Sequence, residues 1–145
     1  MKKRGKANQT QDSKAPADGH PMGRHVDAIP ELEMIGSMLE HLFSVEGATT
    51  PQERRTVEER AACLNGADRS MNSSELSPVV ANYVDKVAVE AYKVVDRDID
   101  AMRDEGLSED YIHEVTLAAT TGASLARLER GLAILEEVEG GNNQS

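Results

Sequence analysis

Apolar side chains recur at spacings of three and four through most of this chain, and that rhythm predicts helices. The first is expected from Pro30 to about Val45. Proline suits a first helical turn, where its missing N–H would be unpaired in any case. Glu31 and Glu33 complement the positive end of the dipole. Leu32, Ile35, Met38, Leu39, Leu42 and Phe43 make the inward stripe, and Gly47 is read as the stop. His41, near the helix C-terminus, suits a capping role there. Thr50-Pro51-Gln52-Glu53 announces a second helix through a capping box. Its body, ERRTVEERAACL, is mostly charged, with a narrow seam of Val57, Ala61 and Leu64. Such a helix is expected to be largely exposed, or completed by another subunit.

Residues 65–76 read as a loop. Ser77-Pro78 then opens a helix whose inward positions are Val80, Tyr83, Val84, Val87, Ala91 and Val94 or Val95. A short acid-rich helix carries Ile99 and Met102 inward. Gly106 ends it, Leu107 folds back as the apolar contact of a C-cap, and Ser108 caps the next helix. That last helix, from Glu109 to about Glu137, is the longest, with Ile112, Val115, Ala119, Gly122, Ala126, Leu128 and Leu132 on its inner side and Glu129 and Arg130 outside. Ala118, Ala119, Gly122, Ala123 and Ala126 form a small-residue face that lets another backbone approach closely. We expect that face to be an oligomer interface.

The pattern gives an all-α fold with one helical domain at 27–138, preceded by a disordered basic tail at 1–26 and followed by a frayed C-terminus at 139–145. With 3% aromatic residues and no Trp, the core must be aliphatic. The net charge of −10 argues against nucleic-acid binding, which depends on clustered Lys and Arg. Residues 1–26 carry six basic and two acidic groups, a net of +4, leaving −14 for the remainder. That segment reads as a solvated tail; contact with an anionic surface or an unidentified protein partner is the alternative. A single cysteine, Cys63, excludes an intramolecular disulfide, a CxxC redox pair and a multi-thiolate zinc site. His20 and His25 have no further ligands nearby, and neither a metal nor a cofactor is expected. The basic N-terminus lacks an apolar stretch behind it, and no window approaches a membrane span, so a cytoplasmic location is expected.

The stretch EGLSEDYIHEVTLAATTGASLARLERGLAIL, with AYKVVDRDIDAMRDEG before it, resembles the carboxymuconolactone decarboxylase and alkylhydroperoxidase D superfamily over residues 76–135. The resemblance implies an all-helical fold of the alkylhydroperoxidase D-like type and an oligomeric protein. In the peroxidase branch a CxxCxxxH motif precedes the turn, its histidine eight residues before the turn glycine. Counted back from Gly106, the two cysteines would fall at Ala91 and Val94, and the histidine at Asp98. The relay glutamate would fall at Val79. The decarboxylase branch also places a histidine at the position of Asp98. All four positions have lost the chemical group.

Peroxide reduction needs a nucleophilic thiolate and a resolving thiol, and Cys63 alone cannot supply both. Three weak catalytic candidates remain: Asp98, His113 and Cys63. Asp98 reads as one charge on a solvated acidic face, His113 as a boundary histidine, and Cys63 as a small packing residue. Tyr83 and Tyr92 read as packing residues with a polar end. The sequence is best read as a non-catalytic, homo-oligomeric binding or scaffold protein. The alternative is a divergent enzyme, a hydroperoxidase or a cofactor-free decarboxylase, using a displaced acid/base group or thiol.

Overall fold

The computed structural model describes residues 30–69, 71 and 76–142, with side chains described for 34–69, 71 and 76–140. The expectations for residues 1–26, including His20 and His25, lie outside that set. The elements are α1 (Pro30–Ser44), α2 (Pro51–Leu64), α3 (Pro78–Glu90), a 3₁₀ turn (Ala91–Lys93), α4 (Asp96–Asp104) and α5 (Glu109–Asn142). All are helical, as the periodicity predicts.

Local signals set most boundaries. The Glu53 amide donates to the Thr50 hydroxyl at 3.1 Å while the Thr50 amide donates to the Glu53 carboxylate at 2.8 Å, completing the capping box. The Val80 amide donates to Ser77 and the Tyr111 amide to Ser108, so both predicted serine caps are present. Gly106 has φ +82°, a conformation in which glycine carries no Cβ penalty, and the Leu107 amide donates to the Met102 carbonyl at 3.2 Å. Leu107 then packs against the core.

Two boundaries differ from expectation. The helix from Pro78 stops at Glu90 instead of running on to Val94, and Ala91 is exposed in the 3₁₀ turn. Asp98 accounts for the restart: its carboxylate accepts the Val95 amide at 2.9 Å, which begins α4. At the other end, α5 continues through Gly140 to Asn142, past the expected limit near Glu137.

The architecture centres on α2 lying along α5. Val57, Ala61 and Ala62 from α2 meet Val115, Ala118, Ala119, Ala123 and Ala126 from α5, all buried. A Cβ built on Gly122 would overlap the Glu58 carbonyl, so the glycine is what allows the two backbones to approach. This corrects two expectations. The small-residue face of Ala118, Ala119, Gly122, Ala123 and Ala126 is used inside the chain, against α2, and is not available as an oligomer interface. The polar helix α2 is central, because Arg54, Thr56 and Glu58 are buried with it. Leu64, expected in its seam, is exposed instead.

α3 adds Val80, Tyr83, Val84, Val87 and Ala88 to the core, and α4 adds the fully buried Met102. α1 closes it with Phe43, and Leu39 and Leu42 pack partly against it. Ile35 and Met38, expected on the inward stripe of α1, are exposed. Glu129, expected outside, is half-buried because its carboxylate takes Arg69 at 2.6 Å. Among the described residues, no helix is long and apolar enough to cross a membrane.

Candidate functional site

Polar contacts concentrate where α5 passes the loop between α1 and α2. Glu114 lies four residues before Ala118, so its carboxylate faces that loop from the edge of the buried side. Oε1 accepts the Ala48 amide at 2.8 Å; Oε2 accepts the Thr49 amide at 2.8 Å and the Thr49 hydroxyl at 2.5 Å. Gly47 makes this possible, since a Cβ there would overlap the Glu114 carboxylate. Gly47 thus serves as the gap that admits Glu114, and the helix before it already ends at Ser44.

Arg54 completes the arrangement from the first turns of α2. Its Nη1 donates to the Thr49 carbonyl at 2.8 Å and to the Thr49 hydroxyl at 2.9 Å, and lies 3.2 Å from Glu114 Oε2. Its Nη2 donates to the Val45 carbonyl, one of the groups left over where α1 ends. Burial pushes the Glu114 carboxyl up, but the Thr49 hydroxyl, the two loop amides and the Arg54 charge outweigh it and hold the group at about 2. A carboxylate so stabilised is too weak a base to take a proton from a substrate near neutrality. Chemically, this is a latch that fixes the α1–α2 loop onto α5.

A phenol sits beside it. The Tyr111 hydroxyl donates to the Glu53 carboxylate at 3.4 Å, and burial together with the Glu53 charge pushes the phenol up to about 12. A second latch ties down the segment after α2: Arg69 pairs with the buried Glu58 and with Glu129. The Cys63 thiol donates to the Arg69 carbonyl at 3.1 Å. It is half-buried within this framework, consistent with a packing residue.

A cleft of about 160 Å³ opens between α3 and α4, lined by Val79, Asn82, Tyr83, Lys86, Asp98 and Ala101. It brings together two of the four motif positions, Val79 and Asp98. Asp98 accepts Lys86 Nζ at 2.5 Å as well as the Val95 amide, and these hydrogen bonds lower its carboxyl below the usual range. The Tyr83 hydroxyl is bound to Thr116 at 2.8 Å. Val94 is half-buried against the core and Ala91 is exposed; neither lines the cleft. His113 is exposed on α5, away from the cleft lining, and Tyr92 is exposed in the 3₁₀ turn. The three candidates Asp98, His113 and Cys63 are therefore not assembled into one constellation. Among the described residues, no group of three or more His, Cys, Asp or Glu is placed to hold a metal.

The residues that sequence reasoning underrated are Thr49 and Arg54. Their signal was present but weak: an arginine one position past the capping box, and a glycine two positions before Thr49. His41 stands in the last turn of α1, exposed, and borders a groove formed by Ser37, Met38, Leu39, Leu42 and Thr121.

In comparisons with known proteins, the chain matches no family model, no curated protein and no solved structure.

Proposed function

We propose that this chain is a non-catalytic, oligomeric binding or scaffold protein built on a carboxymuconolactone decarboxylase-like helical fold. One observation carries the reading. Asp98, the ionisable group at the motif positions, caps α4 and pairs with Lys86, while Val79, Ala91 and Val94 offer no reactive group. Among the described residues, three charged side chains at the interior serve as latches: Glu114 holds a loop, Arg54 binds carbonyls, and Arg69 pairs with Glu58 and Glu129. The test is turnover of hydroperoxide with a thiol reductant, and of a carboxymuconolactone-type substrate. No rate above buffer is expected from the wild type or from Cys63→Ser. A wild-type rate that Cys63→Ser or Asp98→Asn abolishes would overturn the reading.

A second reading, a divergent enzyme of the same superfamily, is favoured by the α3–α4 cleft, which places Asp98 beside Lys86 and a tyrosine. Against it stands the lowered Asp98 carboxyl, a poor general base. Catalysis there would vanish in Lys86→Met as well as Asp98→Asn, with the fold intact by circular dichroism.

A further inference from the structure

Asn65 and Gly66, directly after α2, are the one Asn-Gly pair in the sequence. Asparagine before glycine is the pairing most prone to deamidation, because the following residue has no side chain to hinder its backbone nitrogen. Here the pair also closes the helix. The Gly66 amide donates to the Cys63 carbonyl at 2.9 Å and the Ala67 amide to the Ala62 carbonyl at 3.0 Å, with Gly66 at φ +87°. Those two bonds form a Schellman cap, which needs a residue at positive φ. The Asn65 side chain reaches further. Its Nδ2 donates to the Ala61 carbonyl at 2.9 Å and to the Ala88 carbonyl at 3.1 Å. Ala88 lies in the last turn of α3, where carbonyls run out of helical partners. From α5, Arg127 Nη2 reaches the same Ala88 carbonyl at 3.3 Å, and Arg130 Nη1 reaches the Asn65 carbonyl at 3.4 Å. One primary amide thus joins the C-terminal ends of α2 and α3.

We propose that Asn65 is a deamidation site whose reaction is gated by this cap and whose product dismantles it. In the reaction the Gly66 nitrogen, after losing its proton to base, attacks Cγ of Asn65. An N–Cγ bond forms, the Cγ–Nδ2 bond breaks, and Nδ2 takes up a proton and leaves as ammonia. Water then opens the five-membered imide at one carbonyl or the other, leaving an aspartyl or an isoaspartyl residue at position 65. The closed cap opposes each step. The Gly66 proton is held by the Cys63 carbonyl, and Nδ2 is held by two carbonyls. Ring closure also needs the Gly66 nitrogen eclipsed with the Asn65 Cβ about the Cα–C bond. With Asn65 at φ −98° and ψ 14°, the two stand far from eclipsed. Gly66 is exposed and Asn65 half-buried, so water reaches the pair once the cap opens. Helix ends open locally at lower free energy than the core does.

Either product is at odds with the closed cap. A carboxylate at position 65 has no proton to donate and meets the Ala61 and Ala88 carbonyls oxygen to oxygen. The isoaspartyl form also lengthens the main chain by one carbon, which moves the Gly66 and Ala67 amides out of register with Cys63 and Ala62. Because ammonia is lost, the change does not reverse when the segment closes again. A transient opening at the end of α2 is thereby turned into a permanent loosening of α2 from α3.

The test follows aspartate and isoaspartate at position 65 by peptide mapping, near neutral pH, in the full chain and in a free peptide of residues 61–69. The full chain is expected to react more slowly than the peptide by about 100-fold, set by the population of the open cap. Urea at concentrations below the unfolding transition should speed the full chain. Ala67→Pro removes the amide that closes the cap and should bring the rate to within about 10-fold of the peptide, with the helical signal intact. Asn65→Asp, the encoded form of one product, should unfold at a lower urea concentration than wild type. A full chain as fast as the peptide, or a folded Ala67→Pro chain as slow as wild type, overturns the gating. If Ala67→Pro does not fold, the urea series decides, and a rate that stays flat until global unfolding overturns the gating. Wild-type stability in Asn65→Asp overturns the loosening.

Discussion

Glu114 accepts hydrogen bonds from both the amide and the hydroxyl of Thr49, a residue 65 positions earlier, at 2.8 and 2.5 Å. It thereby joins the longest helix to a loop that has no regular structure of its own. Glu114→Gln keeps the shape but removes the charge that faces Arg54, and it puts an amide donor where two oxygens accept. A loss of about 1–3 kcal/mol is expected, since one partner of a part-buried charged network is removed and the others remain. Urea unfolding monitored by circular dichroism measures it. A change below about 0.5 kcal/mol would show that the latch does not stabilise the fold.

The same carboxyl makes stability depend on acid. Its folded value of about 2 lies below the ordinary 4.5, so the native state prefers it ionised. That contribution is complete above about pH 4.5 and is lost as pH falls toward 2. Its upper bound is about 3 kcal/mol, reduced because the side chain is partly open to water. Wild type is therefore expected to lose stability steeply between pH 4.5 and 2.5. Glu114→Gln, already weakened, should show a shallower slope over that window. Parallel slopes for the two proteins would assign the acid sensitivity elsewhere.

What the sequence made legible was local. The Thr50–Glu53 box, the Ser77 and Ser108 caps and the Gly106–Leu107 turn each depend on groups within five residues of one another, so their spelling is their geometry. The placement of α2 was not legible, because the partners that let Arg54 and Glu58 be buried are distant: Glu114 is 60 positions from Arg54, and Glu129 meets Glu58 only through Arg69. Read alone, ERRTVEERAACL looks like a surface helix. The small residues of α5 announced a close approach, and a sequence cannot say whether the approaching backbone belongs to the same chain. Of the candidate site, Val79 and Asp98 did come to share a cleft, whereas Ala91 left it because the chain breaks from helix at Glu90.

Two glycines of one helix should respond oppositely to alanine. Gly122→Ala drives a methyl group into the Glu58 carbonyl, which is backbone and cannot swing aside, so α2 must shift. A loss of about 2–3 kcal/mol is expected. Gly131→Ala meets nothing among the described residues and gains helix propensity, for about 0.5–1 kcal/mol of added stability. Thermal melts of both variants at low concentration check this. Equal effects would mean that α2 does not rest on Gly122.

Tyr111 gives the structure an alkaline limit as well. Its phenol is raised from 10.0 to about 12 by burial and by the Glu53 carboxylate, so the folded state holds it neutral. The corresponding stability is fully present below pH 10 and disappears as pH climbs toward 12. The chain has three tyrosines, and absorbance near 295 nm follows their ionisation. The Tyr111 increment is expected to appear late, near pH 12, or abruptly on alkaline unfolding. Tyr111→Phe should delete that late increment and leave the capping box at Thr50 intact, because Glu53 meets the Thr50 amide through its other oxygen. If the late increment survives in Tyr111→Phe, the Tyr111–Glu53 contact does not hold in solution.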